Sequence, residues 1–560
     1  MLLLLTACAT EPAFHGGGAE NDRRIMVMPD VYGAAMNTHH ESVTIFGRNF
    51  NSRLEIPVPG APVAHAWADE VLFVTLGDVG SIARIEDFEL TDVTWVGTEP
   101  SGIVADGDRL IVALTTENAV VELDLDTLEE LARYTLDRPV DLAIHPSGNP
   151  VYATTPTSVQ IIDRDEGEVS ELPWPELELQ TPLGTTVPAL PRPSGRPDVD
   201  WDRLVVPTFA VDIETPEGTL PRGTGAWSTT PTVDIEEGPG RFAGALVEFD
   251  VDGREPPIAH HIGVSAPGDV LLQGDQAWVP IPTNDRVVRI GLESAQPITQ
   301  GFHRSSMMIR TGYAGPIAVW PEGQVHESHT DTLYRGDRAI PLTEEPLDAT
   351  LALGRRLFST GADARVSAPG SGVSCSSCHM DGGSDGLVWP LREGDRQTPS
   401  LEGRISDTEP VTWTSQVETV AHEADKATTE RMGGTGLTSA ELDAIAAWID
   451  HIRPRDMPEV DAEARERGEQ IFYRLGCATC HVPPTYGGGG SYSMFGEASV
   501  DTPALLGVGA TAPYLHDGSA ETLEDVVRMS TEGGMATTAG LSDDEIADLV
   551  TFLASLEESR

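Results

Sequence analysis

The sequence predicts a multidomain chain in which an all-β propeller precedes two small, mainly helical domains. Three observations carry that expectation. Between residues 25 and 345 short apolar runs alternate with Gly, Pro, Asn and Asp, and helical periodicity is almost absent. Within that stretch one unit recurs. After Pro346 the text turns helical, and a five-residue pattern, C-x-x-C-H, occurs once in each helical half.

Residues 1–24 are expected to be a truncated lipoprotein signal and a linker. A short leucine run ends in Leu5-Thr6-Ala7-Cys8, which resembles the lipobox at which bacterial lipoproteins are cleaved, so Cys8 is the expected lipidation site. The usual basic segment ahead of such a run is missing. No later segment approaches the roughly 20 apolar residues of a membrane-spanning helix, so membrane attachment is expected through a lipid only. The expected location is the periplasm or the cell surface.

The propeller reading of residues 25–345 rests on period. GDRLIVALTTENAVVEL (107–123) aligns without a gap on GDQAWVPIPTNDRVVRI (274–290), and Pro62, Pro100 and Pro139 open three similar units. Repeats of roughly 40 residues with four short strands suit one blade, which cannot cover its own faces and must stack on neighbours. The period blurs between residues 174 and 240, so six or seven blades are expected. A pair of β-sandwiches is the alternative. In style this part resembles the YVTN-type propellers of bacterial surface proteins.

Two helical domains follow, 346–455 and 460–560, joined by RPRDMPEVD. LDATLALGRRLF (347–358) and RERGEQIFYRLG (465–476) each precede a pentad. TSAELDAIAAWIDHI (438–452) and LSDDEIADLVTFLASL (541–556) are one element written twice, with capping boxes at Thr438/Glu441 and Ser542/Glu545.

The pentads are CSSCH, with Cys375, Cys378 and His379, and CATCH, with Cys477, Cys480 and His481. Apart from Cys8 these are the only cysteines, so none is left for a structural disulfide. A zinc site needs further ligands at suitable spacing, and a thioredoxin-type dithiol needs no adjacent histidine. Two thiols three residues apart meet the two vinyl groups of a haem, and the adjacent histidine turns under the ring to ligate iron. Two covalently bound haem c groups are therefore expected, with His379 and His481 as iron ligands. A calcium ion is the one further cofactor considered, without a ligand set of its own.

TPALLGVGATAPYLHDGSAETLEDVVRM (502–529), together with CSSCHMDGGSDGLVW, TPSLEG and Trp413, resembles the two halves of the di-haem bacterial cytochrome c peroxidases and their relative, the methylamine dehydrogenase maturation enzyme. The resemblance covers roughly the last 210 residues. It implies Met529 as distal ligand of the second haem, with Met535 and Met494 as alternatives, and Trp413 as the residue between the haems. The chain departs from that family in its first domain. No histidine lies in MDGGSDGLVWPLREGDRQ, and the family's Glu-Met pair falls on Arg431-Met432, with Glu430 one residue away. The first haem is thus either open, with Glu430, Asp385 or Glu423 as the acid-base group, or capped by His422 or Met432.

A formal charge of -53 and a pI near 4.4 exclude nucleic acid and anionic membrane surfaces as partners. They favour a basic redox partner. The leading functional expectation is electron transfer in the cell envelope. Reduction of hydrogen peroxide or oxidation of a protein substrate at the first haem is the second, and ligand binding by the propeller with accessory haems is the third.

Overall fold

The computed structural model describes residues 14–16, 25–27, 32–47 and 53–557, apart from 69, 176, 181–185, 212–241, 252, 264–266, 282–285, 293–308, 311–316, 321–322, 329–331, 336–337, 345, 369–372, 380–381, 392–393, 404, 454–456 and 458–459. Cys8 lies outside these residues.

Seven antiparallel sheets follow one another between Phe14 and Pro341 among the described residues. Five have four strands in sequence order, one has five, and the sheet spanning Leu177–Gly263 has six. The strand Pro62–Ala68 lies against Pro100–Asp106, which lies against Leu142–Ile144. At the far end Ile317–Trp320 lies against Phe14–Gly16 and Ile25–Val27, so the last sheet returns to the first and closes a ring. This is the N-terminal propeller. The aligned repeat is exact: Arg109–Leu114 and Ala119–Asp124 match Gln276–Ile281 and Arg286–Gly291.

Strand Val71–Leu76 shows why its sequence is one unbroken apolar run. Leu72, Val74 and Leu76 pack with Met36, Val43 and Ile45 of the preceding sheet, whereas Val71 and Phe73 pack with Ile103, Leu110 and Val112 of the following one. Both faces of a period-two strand are buried, so no polar alternation is left to read. The blurred region is a sheet built differently. Arg203–Val211 and Phe242–Asp250 are nine residues long, and Asp198–Val199 pairs beside them as an extra strand.

Six α-helices follow among the described residues: α1 (Ala349–Ser359), α2 (Val420–Lys426), α3 (Ser439–His451), α4 (Ala462–Arg474), α5 (Leu523–Gly533) and α6 (Asp543–Ala554). Both expected capping boxes form. Glu441 accepts the Thr438 N–H at 2.9 Å, and Glu545 accepts the Ser542 N–H at 3.1 Å. A third, Thr522 with Asp525, opens α5.

Helices α1 and α3 cross where Gly354 meets Ala444, and α4 and α6 cross where Gly468 meets Asp548. A Cβ on Gly354 would sit 2.0 Å from the Ala444 carbonyl oxygen, and one on Gly468 would sit 2.0 Å from that of Asp548. Only glycine permits these crossings. Alanine at Gly354 or Gly468 is expected to cost about 3 kcal/mol, the upper end for overpacking against unyielding backbone. The measurement is the denaturant midpoint, with Gly540→Ala, whose added Cβ meets nothing within 4 Å, as the near-neutral control.

Propeller and helices share a core. Phe209 and Val211, from the propeller, are buried with Leu357, Trp389, Val420, Met432 and Trp448 of the first helical domain. His39 stands edge-on to Trp448 with ring centroids 4.5 Å apart. His260 lies in the strand Ile258–Gly263 with Nε2 2.8 Å from Glu248 Oε2.

Candidate functional site

Each pentad begins as a single turn of 3₁₀ helix after a glycine-crossed helix. In the first, the His379 N–H donates to the Cys375 carbonyl at 2.9 Å, and in the second the His481 N–H donates to that of Cys477 at 2.9 Å. The two turns are the same structure. Cys375 and Cys378 pack against the first core, and Cys477 packs against the second with Tyr486, Leu505 and Tyr514.

Burial holds both imidazoles below the ordinary histidine range, hence neutral. For His379 the Asp385 carboxylate opposes that effect. The His481 Nδ1–H donates to the Tyr486 carbonyl at 2.9 Å, which fixes the tautomer and leaves Nε2 with its lone pair. His379 Nδ1 is shielded from solvent without a hydrogen-bond partner, although the backbone at Gly383 and Pro399 lies near the ring.

None of the four pentad cysteines is in a disulfide. Burial pushes the Cys375 thiol up to about 12 and raises that of Cys477. A redox-active dithiol or a thiolate metal site requires the opposite. Among the described residues no group of three or more His, Cys, Asp or Glu is placed to hold a metal ion, for calcium or zinc alike. Thiols paired three residues apart, each pair beside a neutral imidazole, fit thioether attachment of a haem with histidine ligation.

The likeness of the two halves goes beyond the pentads. Val411 bridges Val417 in one half and Tyr514 bridges Ala520 in the other. Each loop carries a bulky residue in left-handed backbone, Thr412 at φ 77° and Leu515 at φ 69°, a costly conformation concentrated at functional sites. These loops put Trp413 and His516 in equivalent positions. EPVTWTSQVETV and APYLHDGSAETL, set side by side, would have shown it.

Trp413 is tethered twice, once within its own domain and once across the domain boundary. Its indole N–H donates to the Gln397 carbonyl at 2.7 Å, and its own carbonyl accepts the Asp501 N–H at 2.9 Å. Gln397 precedes Thr398-Pro399, beside His379, and Asp501 precedes Thr502-Pro503, beside His481. The Gln397 N–H also donates to the His516 carbonyl at 2.8 Å. Burial raises the Asp501 carboxyl to about 6, against the hydrogen bond that Ser415 donates to it at 2.6 Å.

The remaining expected residues separate. His422 and Glu430 are exposed. Met432 is buried in the cluster that takes in Cys375 and Cys378. Glu423 is ion-paired with Arg431 across a π-helical turn, Ala427–Arg431, of a kind frequent at functional sites. Glu423 raises the Cys375 pKa, and Glu423 Oε2 is buried without a hydrogen-bond partner. Met529 is half-buried on α5, and Met535 lies half-buried in the turn after it, its N–H donating to the Ser530 carbonyl at 2.9 Å. Met494 is half-buried as well.

Residues 465–557 match the family model of cytochrome c. Over 112 residues the chain is 31% identical to cytochrome c551 peroxidase of Nitrosomonas europaea, covering 16% of this chain and 33% of that protein. It thus spans a third of the length of the curated relative it matches. Among solved structures it is similar to a MauG-like protein associated with microbial copper homeostasis, at 23% identity and a TM-score of 0.30, covering 39% of this chain and 92% of that one. It is also similar to a streptogramin B lyase, at 11% identity and a TM-score of 0.37, covering 57% and 92%. A third is hydrazine synthase of Kuenenia stuttgartiensis, at 18% identity and a TM-score of 0.36, covering 48% and 76%. The family match falls on the second pentad and the helices α4 to α6 that frame it, so the C-terminal region of this chain is a cytochrome c domain, which implies covalently bound haem c.

Proposed function

We propose that the chain is a two-haem electron-transfer protein of the cell envelope, in which electrons pass between the haem at Cys477, Cys480 and His481 and a haem at Cys375, Cys378 and His379. The observation that carries this reading is the double tether of Trp413, which links segments leading to both iron-ligating histidines. The repeated architecture of the two halves supports the second haem. Each haem supplies one-electron chemistry between ferric and ferrous iron. The protein's part is to hold, shield and connect them.

In this reading Met432, buried in the cluster against which Cys375 and Cys378 pack, would be a ligand for the first haem, and Met529 for the second. A thioether ligand raises the potential, which suits an electron store. The acidic surface steers a basic redox partner. Placement in the envelope, with a lipid on Cys8, rests on Leu5-Thr6-Ala7-Cys8 alone.

One observation favours peroxide reduction instead. Glu423 Oε2, shielded from solvent without a hydrogen-bond partner and on the Cys375 side, is the candidate acid-base group of that reading, and Arg431 keeps its carboxylate oriented. Mixing the half-reduced, haem-loaded protein with hydrogen peroxide in a stopped-flow spectrometer decides between them. Electron transfer as the function predicts spectra unchanged for many seconds. Fast reoxidation of the second haem, lost in Glu423→Gln, would replace it with peroxide reduction.

A further inference from the structure

The propeller reaches the loop after the first pentad with a buried ion pair. Arg192, in the strand Thr186–Pro193, and Asp385, six residues after His379, have side chains only 3% and 0% exposed. Arg192 Nη1 lies 3.8 Å from Asp385 Oδ2, and Arg192 Nη2 donates to the Asp385 carbonyl at 3.2 Å. The other contacts of the carboxylate come from the first helical domain. Oδ1 accepts the Leu387 N–H at 2.9 Å, and Oδ2 accepts the Trp389 indole N–H at 3.1 Å. A fixed negative charge is thereby held near His379, and it works against the effect of burial on that imidazole.

The same loop is pinned to the segment that runs past His379 and Trp413. Ser384 Oγ donates to the Thr398 carbonyl at 2.6 Å, and the Gln397 side-chain amide donates to Ser384 Oγ at 3.1 Å. Leu190, Phe209 and Val211, on Arg192's strand and the one paired with it, belong to the same apolar cluster that Cys375 and Cys378 pack against. The propeller therefore supplies both packing and charge to the first site. The propeller also touches the second helical domain, where Arg138 Nη1 donates to the Ala512 carbonyl at 3.2 Å, but the groups acting on His481 itself, at Tyr486 and Pro503, belong to that domain.

We propose that Arg192 is a positioning residue for the first haem, and that the propeller, acting through Asp385, sets that haem's reduction potential separately from the second. The inference rests on the two-haem reading. In a buried pair of this kind the two charges nearly cancel at a distance, so removing either partner exposes the other to the iron. Loss of the Arg192 cation leaves a negative charge that favours the ferric state, whereas loss of the Asp385 charge leaves a cation that favours the ferrous state. The two changes must act with opposite sign, which a merely structural role would not produce.

The experiment is a spectroelectrochemical titration of the full-length, haem-loaded protein and its Arg192→Met, Arg192→Lys and Asp385→Asn variants. The expected result is a lower first-haem potential in Arg192→Met, a higher one in Asp385→Asn, near-native behaviour in Arg192→Lys, and an unmoved second haem throughout. Shifts of the same sign in both charge-removing variants, or no shift in either, overturn the proposal. If Arg192→Met fails to fold, Asp385→Asn decides alone, an upward shift supporting the proposal and an unchanged potential refuting it. A native protein that titrates as a single haem would instead overturn the two-haem reading beneath it.

Discussion

Replacing Trp413 with phenylalanine is expected to slow electron transfer between the two haems by roughly tenfold or more, equivalent to about 1.4 kcal/mol in the barrier. The substitution keeps an aromatic ring in the same half-buried place. It also keeps the backbone tether, because the Asp501 N–H donates to the Trp413 carbonyl and not to its side chain. What it removes is the indole N–H that binds the Gln397 carbonyl at 2.7 Å, the link to the His379 side. Leaving that carbonyl unpartnered also costs about 1–3 kcal/mol of stability if no water reaches it. Flash photoreduction of the second haem, followed by optical detection of the first, gives the rate directly. A rate equal to that of the native protein would remove Trp413 from the route while leaving both attachment sites untouched. His516 occupies the equivalent loop position in the other half and makes no such side-chain bond to Gln397, so His516→Phe is the matched control.

The parts of this structure that were legible in the sequence are those set by local rules. A propeller blade is a run of short strands with turn residues between them, so the repeat in residues 107–123 and 274–290 fell on the same strand boundaries. Capping boxes at Thr438 and Ser542 depend on residues three apart and formed as read. The pentads likewise carry their chemistry within five residues. What escaped notice was set by contacts between distant segments. Nothing local in GRRLF or GEQIF says that a glycine must face a helix carbonyl at each crossing. Arg192 lies in a Pro-rich stretch whose period had blurred, and its partner is almost two hundred residues away. The first domain's acid was sought at Glu430 because of its nearness to Met432 in sequence. The π-helical turn at Ala427–Arg431 leaves Glu430 in solvent and brings Arg431 to Glu423.

Removing the cysteines of one pentad at a time is expected to halve the haem retained per chain under denaturing conditions, and removing all four to abolish it. In Cys375→Ala/Cys378→Ala protein the imidazole of His379 remains, but a histidine alone holds haem only by coordination, which denaturant releases, whereas thioether bonds survive it. The covalent haem left in that variant is the one at Cys477 and Cys480. Cys477→Ala/Cys480→Ala protein should show the reverse. The second-pentad variant should also be less stable, because the core of α4, α5 and α6 closes around Cys477 with Tyr486, Leu505 and Tyr514, and an unfilled apolar cavity there costs about 24 cal/mol per Å³. The decisive case is the first pentad, which lies outside the residues matched by the cytochrome c family. If its double variant keeps the full native haem content, the repeated glycine crossing, the repeated 3₁₀ turn and the repeated loop at Val411 and Tyr514 are inherited architecture without a cofactor. The Trp413 route would then have one terminus only, and Arg192 would hold together a fold whose redox chemistry resides wholly in its last hundred residues.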